Sequence, residues 1–228
     1  MTDDKNFCCL NRKKPMEISK QISLGKNPTI EDNVIVGYIP GRKIKSLKVK
    51  IGDAARIRSS SVIYAGVKIG KDFETGHNVI IREENAIGNN FKIWNNSVID
   101  YGCRIGNNVR IHNNVYVAQY TVIEDNVFLA PGVVITNDPH PICTKCMKGP
   151  IIKENSRIGA NVTLLPHVII GESSLIGAGS VVTKNIPSHS VAYGNPARVT
   201  GKTEDLKCRL KKTRKPYKNG LDIFLRKE

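Results

Sequence analysis

The sequence predicts an all-β fold, a parallel β-helix, and two observations carry that prediction. The first is a period of six. Aliphatic side chains stand at Ile51, Ile57, Ile63 and Ile69, then at Ile81, Ile87, Ile93, Ile99, Ile105, Ile111, Val117, Ile123, Leu129 and Ile135; only Thr75 breaks the series. Four residues after each beat the side chain is usually small or medium-sized and expected to be buried, as at Ala55, Ser61, Val67, Val79, Cys103, Val109 and Val133. The second observation is the pairs between these positions: Asn89-Asn90, Asn95-Asn96, Asn107-Asn108, Asn113-Asn114 and Asp125-Asn126. Asn and Asp enter the left-handed backbone region at lower cost than other non-glycine residues, so each pair predicts a corner. A repeated six-residue unit with its own corner is the signature of a β-helix. Neither a helical period nor a two-residue alternation takes this form.

Taken in order, residues 1–28 lack the period and read as an N-terminal arm. Ile30 and Val36 mark a partial first coil, followed by the basic insert Gly41-Arg42-Lys43-Ile44-Lys45. Regular coils run from Ile51 to Ile135 and resume at Ile152, Ile158, Leu164, Ile170, Ile176 and Val182. Ile135 and Ile152 are seventeen residues apart, one short of three hexads, so residues 136–151 are expected to leave the solenoid and return to the same face. Three hexads per turn give about seven coils, each raised by roughly 4.8 Å. The β-helix domain is expected to span 29–199, and 200–228 to form a short helix and basic tail. Thr203 is placed to cap a helix from Glu204 to about Lys212, with acids in its first turn and bases in its last. That helix would cover the open strand edges of the last coil.

Composition bounds the rest. The low aromatic content, 6%, suits a narrow core of aliphatic and small side chains. No long apolar run and no charged-then-apolar leader is present, so we expect no membrane span and a cytoplasmic protein. Cys8, Cys9, Cys103, Cys143, Cys146 and Cys208 follow no disulfide-scaffold pattern, consistent with a reducing compartment. A net charge of +15 fits nucleic acid, an anionic surface or a polyanionic small molecule. Much of the excess sits in the tail, Lys207 to Lys215, and no nucleic-acid fold signature accompanies it.

The hexads, together with Ile176-Gly177-Ala178-Gly179-Ser180-Val181-Val182-Thr183-Lys184 and Gly194-Asn195-Pro196-Ala197-Arg198, closely resemble the hexapeptide-repeat acyltransferases over roughly residues 28–200. The resemblance implies a left-handed β-helix, exceptional against the usual right-handed crossover. It also implies a homotrimer with active sites between neighbouring subunits. Within the family the chain looks most like nucleotide-sugar N-acetyltransferases, which implies acetyl transfer from acetyl-CoA to an amino-sugar nucleotide with no metal required. The positions matching the cofactor groove are Gly159, Ala160, Gly177 and Ala178, with Lys184 and Arg198 matching basic positions that meet nucleotide phosphates. Each of these also has a plain reading, as corner filler or a solvated cation.

Acetyl transfer needs a base, an oxyanion stabiliser and a departing thiolate. In Asn137-Asp138-Pro139-His140-Pro141, His140 sits where related sugar O-acetyltransferases present their catalytic His. It is the candidate base, with Asn137 a candidate for holding the acceptor and Asp138 for orienting His140 or attracting an ammonium. A surface histidine is the plain alternative. His77 and His112, two coils apart on one face, are rival candidates for the acceptor pocket; Thr75 breaks the period beside His77, and Glu83-Glu84-Asn85 is a polar interruption whose Glu84 is a candidate sugar contact. A γ-class carbonic anhydrase, which shares this solenoid, is disfavoured because Val117, five places beyond His112, cannot ligate zinc. Cys143-Thr144-Lys145-Cys146 leaves three readings open, namely zinc, a redox pair, or ordinary loop cysteines. Against the enzyme stands one further alternative, a solenoid scaffold whose basic tail binds a polyanion. O-acetylation of a sugar hydroxyl or other small acceptor is the alternative within enzymes.

Overall fold

The computed structural model describes residues 21–208, 210–212 and 216. Short strands, most of two residues, form three sheets of eight, ten and eight strands in which, up to the hairpin that closes the ten-stranded sheet, each strand pairs with the one three places along the chain. The chain thus winds as a three-sided parallel β-helix. Face 1 runs from Ile22–Leu24 to Ile169–Ile170, face 2 from Thr29–Ile30 to a closing hairpin, and face 3 from Ile35–Tyr38 to Val181–Val182. Three corners separate them: the first leads from face 1 to face 2, the second from face 2 to face 3, and the third from face 3 to the next coil's face 1.

The six-residue period is the core. Every aliphatic beat from Ile51 to Val182 is buried, and so is Thr75. Thr75 breaks the series for a local reason: its Oγ1 accepts the backbone N–H of Arg58 at 2.9 Å. The positions four residues on are buried too, and at two of them Phe73 and Phe91 stack 5.9 Å apart. Corner residues take the left-handed region, including Asn90 (φ 52°), Asn96 (58°), Asn108 (56°), Asn114 (57°) and Asn126 (59°). Their amides also form ladders, with Asn90 donating to Asn108 at 2.9 Å and Asn108 to Asn126 at 3.0 Å. Asparagine therefore supplies both the turn and a coil-to-coil bond, each bond contributing about 1 kcal/mol.

Three expectations are corrected. The arm does not extend to residue 28: Ile22–Leu24 pairs with Val49–Ile51, so Leu24, Ile30 and Val36 complete a first coil and eight coils stand on faces 1 and 3 instead of seven. Residues 1–20, with Cys8 and Cys9, lie outside the described residues. The excursion does not return to the face it left. Val134–Ile135 is on face 3, whereas Ile151–Ile152 stacks on Val122–Ile123 of face 1, so the loop replaces an ordinary third corner. The C-terminal helix is a single 3-10 turn, Thr203–Asp205, whose N-cap is Lys202 with no side-chain bond. Face 2 is closed instead by a hairpin: Ser190–Gly194 lies parallel to Leu175–Ile176, and Ala197–Lys202 pairs antiparallel with it, past the expected boundary at 199. Pairing the last edge with strand satisfies its backbone directly, which a short polar helix does not. Arg209, Arg214 and Lys215 of the tail lie outside the described residues. Among the described residues no helix is long and apolar enough to cross a membrane.

Candidate active site

Both inserts leave from the third corner. The basic insert joins Ile35–Tyr38 to Val49–Ile51, and the excursion joins Val134–Ile135 to Ile151–Ile152. Between them this corner carries a stack of polar side chains. Asp100, 5% exposed, accepts hydrogen bonds from the Tyr101 N–H (2.8 Å), Tyr116 Oη (2.9 Å) and Gln119 Nε2 (2.6 Å), and pairs with Arg82 Nη1 at 3.0 Å. Glu83 has no side-chain exposure and pairs with Arg42 Nε (2.6 Å) and Arg82 Nη2 (3.1 Å). Burial pushes its carboxyl up, but its own backbone N–H, Arg42 and Arg82 outweigh that and hold it below the usual carboxylate range. Glu84 is clamped by Arg42 Nη2, so this sugar-contact candidate is engaged by the insert. Arg42 also lies over the Tyr101 ring, 4.1 Å from its centroid. Burial and Asp100 push the Tyr116 phenol up to about 12, keeping it a donor at neutral pH.

The excursion is wired to this stack. Asn137, 8% exposed, donates Nδ2 to Gln119 Oε1 at 2.7 Å, and its carbonyl accepts the Lys148 N–H at 2.8 Å, closing the loop's root. Asp138 bonds to backbone and not to the His140 ring: Oδ1 accepts the His140 N–H (2.9 Å) and Oδ2 the Cys143 N–H (2.6 Å). His140 itself is exposed. Cys143 and Cys146 are free thiols; a hydrogen bond from Cys146 lowers Cys143, and the same contact raises Cys146.

The second corner has the opposite character. His112 follows Ile111, and the equivalent place on the coils above is taken by Ala130, Gly159 and Gly177. Above His112 the corner is a strip of nearly bare backbone, flanked by Ala160 and Ala178 one place further on. A Cβ at Gly159 would lie 2.6 Å from Ala178 N and 2.7 Å from Ile176 O, so the coils approach too closely for any side chain there. The Tyr193 Cβ would be 2.7 Å from a Cβ at Gly177, and Arg198 faces Tyr193 across the hairpin, exposed at the top of the strip. His112 Nδ1 accepts the Asn113 N–H at 2.9 Å, which leaves the neutral ring's proton on Nε2.

The structure therefore gathers Gly159, Ala160, Gly177, Ala178, Arg198 and His112 along one corner. Lys184 is not with them. It is exposed on the third corner, two coils beyond Asn137 and on the side of His140. His77 shares the second corner but lies four coils below Gly159, about 19 Å of rise. Its Nδ1 is 2.8 Å from Ser59 Oγ and 3.9 Å from Glu31 Oε2, partners far from the loop. A cavity of about 570 Å³ lies on face 1 and the first corner, against Arg104, Glu124 and Glu154, away from both arrays. Sequence reasoning missed Arg42, Arg82, Asp100, Tyr116 and Gln119. Reading the chain down one corner at a spacing of 18 residues would have aligned Arg82 with Asp100 and Gln119 with Asn137.

A bacterial transferase hexapeptide model of six repeats matches residues 86–119, 102–137 and 149–184. Over these residues the chain carries the bacterial transferase hexapeptide repeat. This hexapeptide-repeat chain is 44% identical over 97 residues to the galactoside O-acetyltransferase of Escherichia coli (strain K12), a match covering 39% of this chain and 48% of that one. It spans about half the length of the curated relative it matches. A crystal structure of a UDP-N-acetylglucosamine acyltransferase from Bacteroides fragilis 9343 superposes with a TM-score of 0.64 at 22% identity, over 80% of this chain and 71% of that chain. That likeness speaks to the fold: the hexapeptide-repeat coils form a left-handed parallel β-helix.

Proposed function

We propose that the chain transfers an acetyl group from acetyl-CoA to the amino group of a nucleotide-linked amino sugar. The observation that carries this reading is the pairing of two unlike corners on one solenoid, the strip starting on the coil above the one where the stack ends. One is a bare strip topped by a cation, Gly159 to Arg198; the other is a polar stack ending in a histidine loop, Arg82 to His140. An extended pantetheine arm needs close approach to backbone, and its phosphates need fixed cations such as Arg198 and Lys184. A sugar needs directed hydrogen-bonding groups on a rigid support, which the Asp100 network supplies.

In one chain the two corners are separated by the whole of face 3. Completing the site calls for the second corner of one copy to lie against the third corner of another, and a homotrimer provides that contact three times over. In this arrangement His140 accepts the proton of the attacking amine, the thioester carbonyl becomes a tetrahedral oxyanion, and its collapse expels CoA as the thiolate, which takes up a proton. Asp138 holds the base through its backbone, Asn137 carries the loop's root, and His112 lines the foot of the acyl strip.

Hydroxyl acetylation is the second reading, favoured by the kinship with a galactoside O-acetyltransferase. Turnover of matched 3-amino and 3-hydroxy nucleotide sugars separates the two, and preference for the hydroxyl form overturns amine transfer. His140→Ala is expected to lower turnover about 10²-fold with acetyl-CoA binding retained. If the wild-type protein fails to bind CoA at all, a scaffold with a polyanion-binding tail replaces the enzyme.

A further inference from the structure

We propose that His140, Cys143 and Cys146 form a binding site for a thiophilic divalent cation of the zinc class, at the tip of the third-corner excursion. One imidazole nitrogen and the two Sγ atoms all lie within 4.8 Å of one another, the sole such trio found among the described residues. With Zn–S near 2.3 Å and Zn–N near 2.1 Å, tetrahedral zinc sets its ligand atoms about 3.6–3.8 Å apart. The trio thus has to close by no more than about 1 Å, a shift that rotation of exposed and half-exposed side chains supplies. Two sulfurs and an imidazole suit zinc and its soft neighbours and exclude calcium and magnesium, which take oxygen.

The backbone is shaped for this before any cation arrives. Both oxygens of Asp138 are spent on the N–H groups of two of the ligand residues, His140 at 2.9 Å and Cys143 at 2.6 Å. The Cys146 N–H turns back onto the Cys143 carbonyl at 3.3 Å, bringing the thiols to one side. His167 Nε2 donates to the Cys146 carbonyl at 3.1 Å, anchoring the third ligand to the next coil. Pro139 and Pro141 flank the imidazole and limit its backbone. Three protein ligands leave one tetrahedral position for water or for a donor atom of a bound molecule.

Binding stands independently of acetyl transfer; one consequence rests on that reading. A ring nitrogen that holds the cation cannot also take the acceptor's proton, so a loaded loop is a blocked one. The test uses the full chain, metal-stripped and kept reduced with a non-thiol reductant, titrated with cobalt(II) and then zinc. We expect one cobalt per chain with thiolate-to-cobalt charge-transfer absorption and tetrahedral visible bands, both bleached by zinc. Cys143→Ser and Cys146→Ser should abolish the charge-transfer band, and His140→Ala should weaken binding at least 10-fold. A Cys8→Ser/Cys9→Ser double variant should leave it unchanged. Metal-free variants must melt with the metal-free wild type, which excludes misfolding as the cause of lost binding. Absence of the charge-transfer band at saturating cobalt, or its survival in the Cys143→Ser/Cys146→Ser double variant, overturns the site. Stoichiometric zinc that leaves turnover untouched keeps the site and removes His140 as base.

Discussion

Glu83→Gln tests whether the third corner is held by its charges. Glu83 is fully buried and takes three charge-assisted contacts: Arg42 Nε at 2.6 Å, and Arg82 Nε at 3.2 Å and Nη2 at 3.1 Å. Breaking a buried pair by neutralising one member costs roughly 3–5 kcal/mol. Both arginines are about a third exposed, 35% and 32%, so water compensates part of that loss. A net cost of about 2–3 kcal/mol remains, or roughly 4–12 °C in Tm for a chain of this size. The pH dependence has a definite sign. The folded carboxyl is depressed, so its stabilisation is fully present above the unfolded value of about 4.3 and is lost as pH falls through the folded value. Thermal melts of the wild type and Glu83→Gln should therefore differ most near neutrality and converge in acid. Arg42→Met combined with Glu83→Gln should cost less than the sum of the two, because they remove one interaction. A Tm within about 1 °C of wild type at pH 7, or additive costs, would refute the claim that this network braces the corner.

Three further outcomes follow from the geometry. Gly159→Val places a side chain where a Cβ already meets backbone at 2.6 Å; melting should register about 1–3 kcal/mol of overpacking, and acetyl-CoA affinity by calorimetry should fall at least 10-fold. Lys184→Glu and Arg198→Glu should each weaken acetyl-CoA by about 10-fold at low salt and by less at high salt, because the contacts are exposed. Thr75→Val leaves the half-buried Arg58 N–H without its 2.9 Å acceptor; a donor so orphaned costs about 1 kcal/mol, whereas an indifferent melt would show the hydroxyl to be incidental.

The coil was legible because each hexad encodes its own geometry. Ile93 is buried because it is Ile at the beat, and Asn96 turns because it is Asn at the corner; neither needs a distant partner to decide it. The ends were less legible. Leu24 lies six residues before Ile30, but the strand it stacks on, Val49–Ile51, is displaced by the basic insert, and the edge of face 2 is closed by a hairpin whose antiparallel partner carries no hexad signal. The site divided in the same way. Gly159 and Gly177 announce close coil approach by residue type alone. The Asp100 hub does not, since Arg82, Tyr116 and Gln119 meet it only after the chain has wound through full turns. The separation of Lys184 from the strip likewise depends on which corner follows Val182, a matter of winding phase.

His140 has been given two uses that draw on one lone pair, and one substitution pulls them apart. In His140→Cys the trio becomes three thiols, a ligand set that holds zinc at least as well as two thiolates and an imidazole. The backbone bonds that shape the loop run from the amide of residue 140 to Asp138 and are untouched by the side chain. Cobalt should therefore still bind, with a stronger charge-transfer band from the added sulfur. A thiol of ordinary pKa near 8.5 is mostly protonated at neutral pH and has lost the imidazole's capacity as a base, so turnover should drop about 10²-fold even in metal-free protein. Retained turnover with retained cobalt would show that His140 is a ligand without being the base, and attention would pass to His112 at the foot of the acyl strip. Lost cobalt in a variant that still melts normally would show that the ring, and not the donor count, sets the cation site.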